Sequence, residues 1–268
     1  MAVCVFIIKT YKKNFALFSL GENMKNRIPD GHWLITRGSA HRGFHGNGIP
    51  ENSKGAFEKA IELGYPIETD VQLTSDLVPV CFHDDTLNRM TGKDARIWDV
   101  SFEEVRKLKL ADSDEQIMTF EEFLALVDGR VPLLIEIKSQ PPHNEDVARK
   151  VIELLKGYKG EYVIQSFDPR IMKIIRKIDP SVIRGQLIEP EKNAQVKPFT
   201  HFLLAHGLLN FMSKPDFINY NAKYLPLSRR MKRGKRVLCW TIRSVEEEQK
   251  ALPYVEGYVF ENIDPKLK

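Results

Sequence analysis

The feature that most limits the fold is a set of short apolar runs that do not alternate. Leu133-Leu134-Ile135 is apolar at every position, where a strand with one wet face would alternate. Runs of this kind are buried on both faces, as in a parallel sheet covered by helices. Strand-like segments recur at Trp33–Gly38, Pro66–Leu73, Val78–Phe82, Pro132–Lys138, Glu161–Ser166, Val182–Leu187, Asp216–Tyr220, Arg236–Ile242 and Gly257–Phe260. Helix-period segments fall between them, at Asn52–Leu63, Ser101–Leu108, Thr119–Val127, Asn144–Lys156, Pro169–Ile178, Lys223–Arg233 and Ser244–Leu252, with a weaker one between Val196 and His206.

Punctuation agrees with this reading. Asn52 or Ser53 can cap the first long helix, Gly64 ends it and Pro66 follows. Ser101-Phe102-Glu103-Glu104 and Ser244-Val245-Glu246-Glu247 have the capping-box spacing. No repeat and no Pro/Ser-rich linker divides the chain. Its 268 residues suit a single-domain (β/α)8 barrel of about 250 residues. The rival is a doubly wound open sheet. No GxGxxG or GxxxxGK[ST] follows any strand, so a nucleotide-binding version of that rival loses support. The expected division is an N-terminal extension over residues 1–38 and a barrel over 39–268.

Composition excludes several classes. With 43% hydrophobic and 28% charged residues the chain can bury a full core. A formal charge of +4 does not imply a nucleic-acid partner. The basic cluster at 229–236 is read as a solvated helix end. Cys4, Cys81 and Cys239 form no CxxC pair, so no zinc knot or disulfide framework is expected. Cys81 and Cys239 read as core filler in a reducing compartment, which places the chain in the cytoplasm. Ala2–Ile8 is apolar but too short to span about 30 Å of hydrocarbon, and its lysines follow the apolar run, where a signal peptide places them before it. Residues 1–20 alternate apolar patches with lysine and have the makings of an interfacial anchor, although membrane contact is not expected. Oligomeric state is left open.

Chemistry concentrates at the predicted strand ends, where a barrel builds its site. Ala40-His41-Arg42-Gly43 places a guanidinium fork, suited to phosphate, beside a glycine that lets the backbone turn closely. In Ile67-Glu68-Thr69-Asp70 the alternation of a strand puts both carboxylates on one side. Burying two like charges costs several kcal/mol unless a cation neutralises them, and oxygen ligands suit Mg²⁺ or Ca²⁺; an edge strand with solvated acids is the alternative. In Cys81-Phe82-His83-Asp84-Asp85, His83 could pair with His41 for acid/base work, with Asp84 orienting its ring. In Leu133–Lys138, Glu136 and Lys138 share a face, as a plain ion pair or as a third ligand and a phosphate-binding cation. Three carboxylates and one divalent ion leave a residual negative charge, and a phosphodiester adds another. Arg42 and Lys138 would offset that repulsion. The group as a whole looks built for metal-assisted phosphodiester cleavage.

These residues resemble the glycerophosphodiester phosphodiesterase family. The resemblance rests on His41-Arg42-Gly43, Pro50-Glu51-Asn52-Ser53, Glu68-Thr69-Asp70, His83-Asp84-Asp85-Thr86-Leu87 and Glu136-Ile137-Lys138, continues in Ser166-Phe167-Asp168 and Val237-Leu238-Cys239-Trp240-Thr241, and covers roughly Ala40 to Asp264. It implies a (β/α)8 barrel that hydrolyses glycerophosphodiesters to glycerol 3-phosphate and an alcohol, through a cyclic phosphate formed by a neighbouring glycerol hydroxyl. By the same resemblance Glu68, Asp70 and Glu136 hold Mg²⁺ or Ca²⁺, His41 and His83 are the acid/base pair, and Arg42 and Lys138 bind phosphate. Phe167 and Trp240 are candidates for walling the glycerol pocket, with barrel packing as the alternative.

Thr69 departs from the family's usual apolar residue and is discounted as facing away from the ligands. Residues 86–116 are too few for a large inserted cap, so an open mouth is expected. His32, His45, His143, His201 and His206 are read as surface or core residues, His45 alone lying in a Gly-rich loop near the site. Two other readings stand: a phospholipase of the same fold acting on intact lipid, and a barrel that binds phosphorylated ligands without turning them over.

Overall fold

The computed structural model of the chain describes residues 27–191 and 196–267. Eight parallel strands close into a barrel: β1 (Ser39–Ala40), β2 (Ile67–Leu73), β4 (Leu133–Ile137), β5 (Tyr162–Ser166), β6 (Arg184–Ile188), β7 (Phe217–Asn221), β8 (Arg236–Ile242) and β9 (Gly257–Phe260). Closure comes from β1, which pairs with β9 through Ser39 and Val259 and with β2 through Ala40 and Ile67. The remaining strand, β3 (Pro79–Cys81), runs antiparallel to β2 with Val71 opposite Cys81. His83 therefore leaves a hairpin that folds back over β2, not a parallel barrel strand. Residues 78–117 carry a small core of their own around Val80, Phe82, Leu87 and Ile97, which fixes that hairpin.

Most of the long helices form where the sequence marks them. Asp168 caps Pro169–Ile178 by accepting from the Arg170 amide at 2.8 Å, and Pro169 fills the first position, where its missing N–H is not needed. The helix buries Ile171, Met172 and Ile175, a stripe worth about 1.5–3 kcal/mol per side chain. Ser53 caps Lys54–Leu63, and Gly64 ends it in the left-handed region at φ 74°. The Ser101 and Thr119 capping boxes form. At Ser244 only half does, because Glu247 accepts from the Arg243 amide.

Three expectations are corrected. Trp33–Gly38 is not a strand: Trp33–Thr36 is a helical turn whose cap is the His32 ring, and the first strand starts at Ser39. Its bulky residues favour β structure locally, but the turn buries Trp33, Leu34 and Ile35 together. Lys223–Arg233 is not one helix. Pro226 lies between a 3-10 turn, Ala222–Tyr224, and a short helix, Arg229–Lys232, because proline interrupts the helical hydrogen bonds. Ser101–Leu108 shrinks to Phe102–Val105.

Alternation sorts the strand residues into two layers. Ile67, Ile135, Ile164, Ile218 and Cys239 pack against the helices. Leu134, Val163, Phe217, Leu238 and Val259 face the barrel interior, where they pack with Ile28, Trp33 and Leu34. Residues 28–34 thus floor the N-terminal end of the barrel. Gly185 is required there: a Cβ on it would lie 2.2 Å from the Phe217 ring. Cys81 and Cys239 are buried free thiols, as read. The apolar-and-lysine segment at residues 1–20 lies outside the described residues. No helix among the described residues is long and apolar enough to cross a membrane.

Candidate active site

The barrel interior changes character toward the C-terminal ends of the strands. On β2, Glu68 and Asp70 point inward, each 1% exposed, and Asp70 lies in register with Glu136 of β4, itself 6% exposed. One oxygen from each of the three lies within 4.8 Å of the others. Burial, with repulsion from Asp70 and Glu136, raises the Glu68 pKa well above the usual carboxylate range. Burial acts to raise Asp70 too, but Lys138, His83 and Arg42 outweigh it and hold this carboxyl ionised.

Lys138 and Arg42 flank the acids. Lys138 Nζ lies 2.8 Å from Asp70 Oδ1 and 2.6 Å from Glu136 Oε1, yet neither oxygen meets a donor at hydrogen-bond angles. Burial would discharge this lysine, but Asp70 and Glu136 overcome it and keep the ammonium protonated. The Arg42 amide donates to Glu68 Oε2 at 3.0 Å, and its guanidinium lies 3.4 Å from Asp70 Oδ2. Arg42 holds a left-handed backbone at φ 53°, a conformation that a side chain other than glycine adopts at some cost. Gly43 follows at φ 80°, and a Cβ there would lie 2.8 Å from the Ala56 backbone.

Each predicted histidine has a carboxylate behind it. His41 Nδ1 bonds Glu261, while its Nε2 faces the acids, 4.0 Å from Glu68 Oε2. Burial lowers the His41 pKa to about 4, the Glu261 bond opposing it. Burial acts to raise Glu261, but its bond to His41 brings it down to about 2. His83 Nδ1 meets Asp84 Oδ1 at 2.7 Å, the orienting contact anticipated from the sequence. A carboxylate on Nδ1 fixes that proton and leaves Nε2 for chemistry.

Several participants escaped the sequence reading. Glu261 follows β9, and the strand-end rule applied to that strand would have found it. His45 lies 3.9 Å from the same carboxylate, so the Gly-rich loop does reach the site. Glu51 lies in the Pro50–Ser53 motif but was given no role, and Arg89 had no signal beyond its charge. Arg89 chelates Asp84 (Nε to Oδ2 2.5 Å) and reaches Glu51 Oε1 at 2.6 Å, and that same oxygen accepts from Arg42 at 2.7 Å. The chain Arg42–Glu51–Arg89–Asp84–His83 thus ties a phosphate-binding candidate to an acid/base candidate.

Asn52 is not the cap. It donates to Asp70 Oδ2 at 2.9 Å, and its own oxygen accepts from Thr69 at 2.8 Å. Thr69, discounted from the sequence, therefore orients the amide that holds Asp70. Phe167 and Trp240 meet edge to face, ring centres 5.5 Å apart. Ser166 donates to the Ile137 carbonyl at 2.6 Å, and Asp168 caps its helix, so that motif braces β5 against β4.

The acidic group fits a divalent ion. Its donors are all oxygen, as Mg²⁺ and Ca²⁺ require, and two of its buried oxygens lack a hydrogen-bond donor. A second cluster, His41, His45 and Glu261, has the spacing of metal ligands, but it uses the imidazole that faces the acids.

Comparison with known proteins agrees with this geometry. The sequence profile of the glycerophosphoryl diester phosphodiesterase family matches residues 41–262. YhdW of Bacillus subtilis (strain 168) is 30% identical over 249 residues, 85% of this chain and 96% of that one. Human glycerophosphodiester phosphodiesterase 1 is 25% identical, covering 78% of this chain and 72% of its own. A phosphodiesterase from Oleispira antarctica, solved in complex with the product sn-glycerol-3-phosphate, superposes with a TM-score of 0.69 at 24% identity, over 84% of this chain and 92% of that chain. With three buried acids at the mouth of a closed (β/α)8 barrel, the chain belongs to the glycerophosphoryl diester phosphodiesterase family of phosphoric diester hydrolases.

Proposed function

We propose that the chain hydrolyses glycerophosphodiesters to glycerol 3-phosphate and an alcohol, with Mg²⁺ or Ca²⁺ held by Glu68, Asp70 and Glu136. The observation that carries this reading is three buried carboxylates within 4.8 Å of one another, ringed by Lys138 and Arg42, in a barrel of this family. When bound, the ion would draw charge from the phosphoryl oxygens and acidify a glycerol hydroxyl. Arg42 and Lys138 would hold the phosphodiester and offset its charge.

His41, neutral at physiological pH with a pKa of about 4, would accept the hydroxyl proton at Nε2 as the oxygen attacks phosphorus. Glu261 would stabilise the resulting imidazolium. His83, its Nδ1 held by Asp84, would protonate the departing alcohol from Nε2. The two exchange roles when water opens the cyclic phosphate. Phe167 and Trp240 would wall the glycerol. The buried free thiols Cys81 and Cys239 support a reducing compartment, the cytoplasm.

The deciding experiment is a product assay over a panel of glycerophosphodiesters. Glycerol 3-phosphate should appear, vanish with EDTA and return with Mg²⁺ or Ca²⁺. Turnover indifferent to the chelator would remove the metal from this reading, and binding without product would remove the hydrolysis.

A further inference from the structure

A surface helix ordinarily turns its polar side outward. The helix Pro198–Ala205 instead turns apolar side chains outward. Phe199 is 71% exposed and Phe202 49% exposed, and His206 shares their outward side, at the three- and four-residue spacing of one helical face. Only Ala205 is buried. The next short helix, Asn210–Ser213, exposes Phe211 at 63%. All the exposed phenylalanines among the described residues lie in this one stretch.

Charge is equally one-sided. Between Glu191 and Asp216 the sequence has no acidic residue but has Lys192, Lys197 and Lys214, and Lys197 and Lys214 are exposed. The stretch begins beside the barrel mouth. The His201 ring meets the Glu191 carbonyl just after β6, at 2.8 Å, and Glu191 accepts from Tyr224, just after β7, at 2.9 Å.

We propose that residues 198–212 seat this flank of the barrel on an anionic lipid bilayer. The phenylalanines would enter the boundary between headgroups and acyl chains, and Lys197 and Lys214 would meet the lipid's negative charge. The composition favours a bilayer over a protein partner. Protein interfaces are anchored chiefly by Trp, Tyr and Arg, and residues 198–212 contain none. Exposed phenylalanines with lysines beside them suit the boundary between headgroups and acyl chains, and a segment without acidic residues from 192 to 215 suits a leaflet of negative potential. The proposal does not depend on turnover at the mouth.

The test is co-sedimentation of the full chain with vesicles of phosphatidylcholine alone or with a third of phosphatidylserine. The chain should sediment with the anionic vesicles, and less so as salt rises. Phe199→Ser, Phe202→Ser and Phe211→Ser combined should cut binding at least about tenfold while leaving the thermal melting transition in place. Lys197→Gln with Lys214→Gln should weaken binding to the anionic vesicles only. A wild-type chain that stays in the supernatant with anionic vesicles overturns the proposal. So does undiminished binding by the triple variant, which would put the contact elsewhere in the chain. A wild-type dimer that the triple variant turns into monomer, read by sedimentation velocity, would make this face a self-interface and also overturn it.

Discussion

The two ends of the barrel interior come from the same strands, two residues apart, and obey opposite rules. On β4 the inward residues are Leu134 and then Glu136; on β9 and just past it, Val259 and Glu261; on β7, Phe217 and Asn219. The floor holds apolar side chains packed against Ile28, Trp33 and Leu34, and each gains free energy by leaving water. The mouth holds Glu68, Asp70, Glu136, Arg42 and Lys138, charges whose desolvation opposes folding. The floor therefore supplies stability, and the mouth spends part of it on holding these charged groups together.

The largest effects should separate the two ends cleanly. His41→Ala or His83→Ala, at the mouth, should lower kcat on glycerophosphocholine by about 10²–10⁴-fold with little change in urea unfolding. A folded His41→Ala protein with full turnover would refute the assignment. Leu134→Ala, at the floor and fully buried, should cost about 2–5 kcal/mol of stability and leave kcat of the folded fraction in place. If Leu134→Ala instead unfolds like wild type, the floor is not where the stability resides.

Glu68→Gln sharpens the contrast. This carboxyl is pushed toward its neutral form by burial and by Asp70 and Glu136, and an amide oxygen can still accept from the Arg42 amide. The metal-free variant should melt no lower than wild type. Its affinity for Mg²⁺ or Ca²⁺, by titration calorimetry, should fall at least as far as the about 10–100-fold seen when a residue merely supporting a ligand is lost. A lower melting point together with unchanged metal affinity would make Glu68 a structural residue.

Much of this was legible because it is local. Arg236–Ile242 and Gly257–Phe260 have the limits read from the sequence. Glu68, Asp70 and Glu136 stand out as acids inside apolar strands. What the sequence hid depends on distant partners. Trp33–Thr36 is helical in a fold where its side chains meet the floor of the barrel, a contact no local propensity encodes. Arg89 and Glu51 are 38 positions apart; Arg89 alone reads as a surface charge, and the motif that contains Glu51 does not say what it meets. Asn52 looked like a cap because its neighbour Ser53 is one, and its bonds to Thr69 and Asp70 exist only once the loop after β1 lies over β2.

The smallest predicted effect concerns Glu261, the carboxylate just past β9. Burial lowers the His41 pKa from 6.5 to about 4, while the bond and charge of Glu261 act to raise it. The unfolded chain thus binds more protons than the folded one between those values, and this group's stabilising contribution is full above pH 6.5 and lost as the pH falls through about 4. Glu261→Gln removes the raising influence, so the His41 pKa should fall further. As a base His41 must be neutral, and the acid limb of kcat/KM reports it in the free enzyme. That limb should move to lower pH in Glu261→Gln, and the plateau should drop because the imidazolium formed during attack loses its counter-charge. Both proteins would be assayed at the same saturating cation, so the difference isolates the carboxylate. A purely structural Glu261 would lower the plateau without moving the limb, and a limb displaced upward would reverse the assignment of His41 as base.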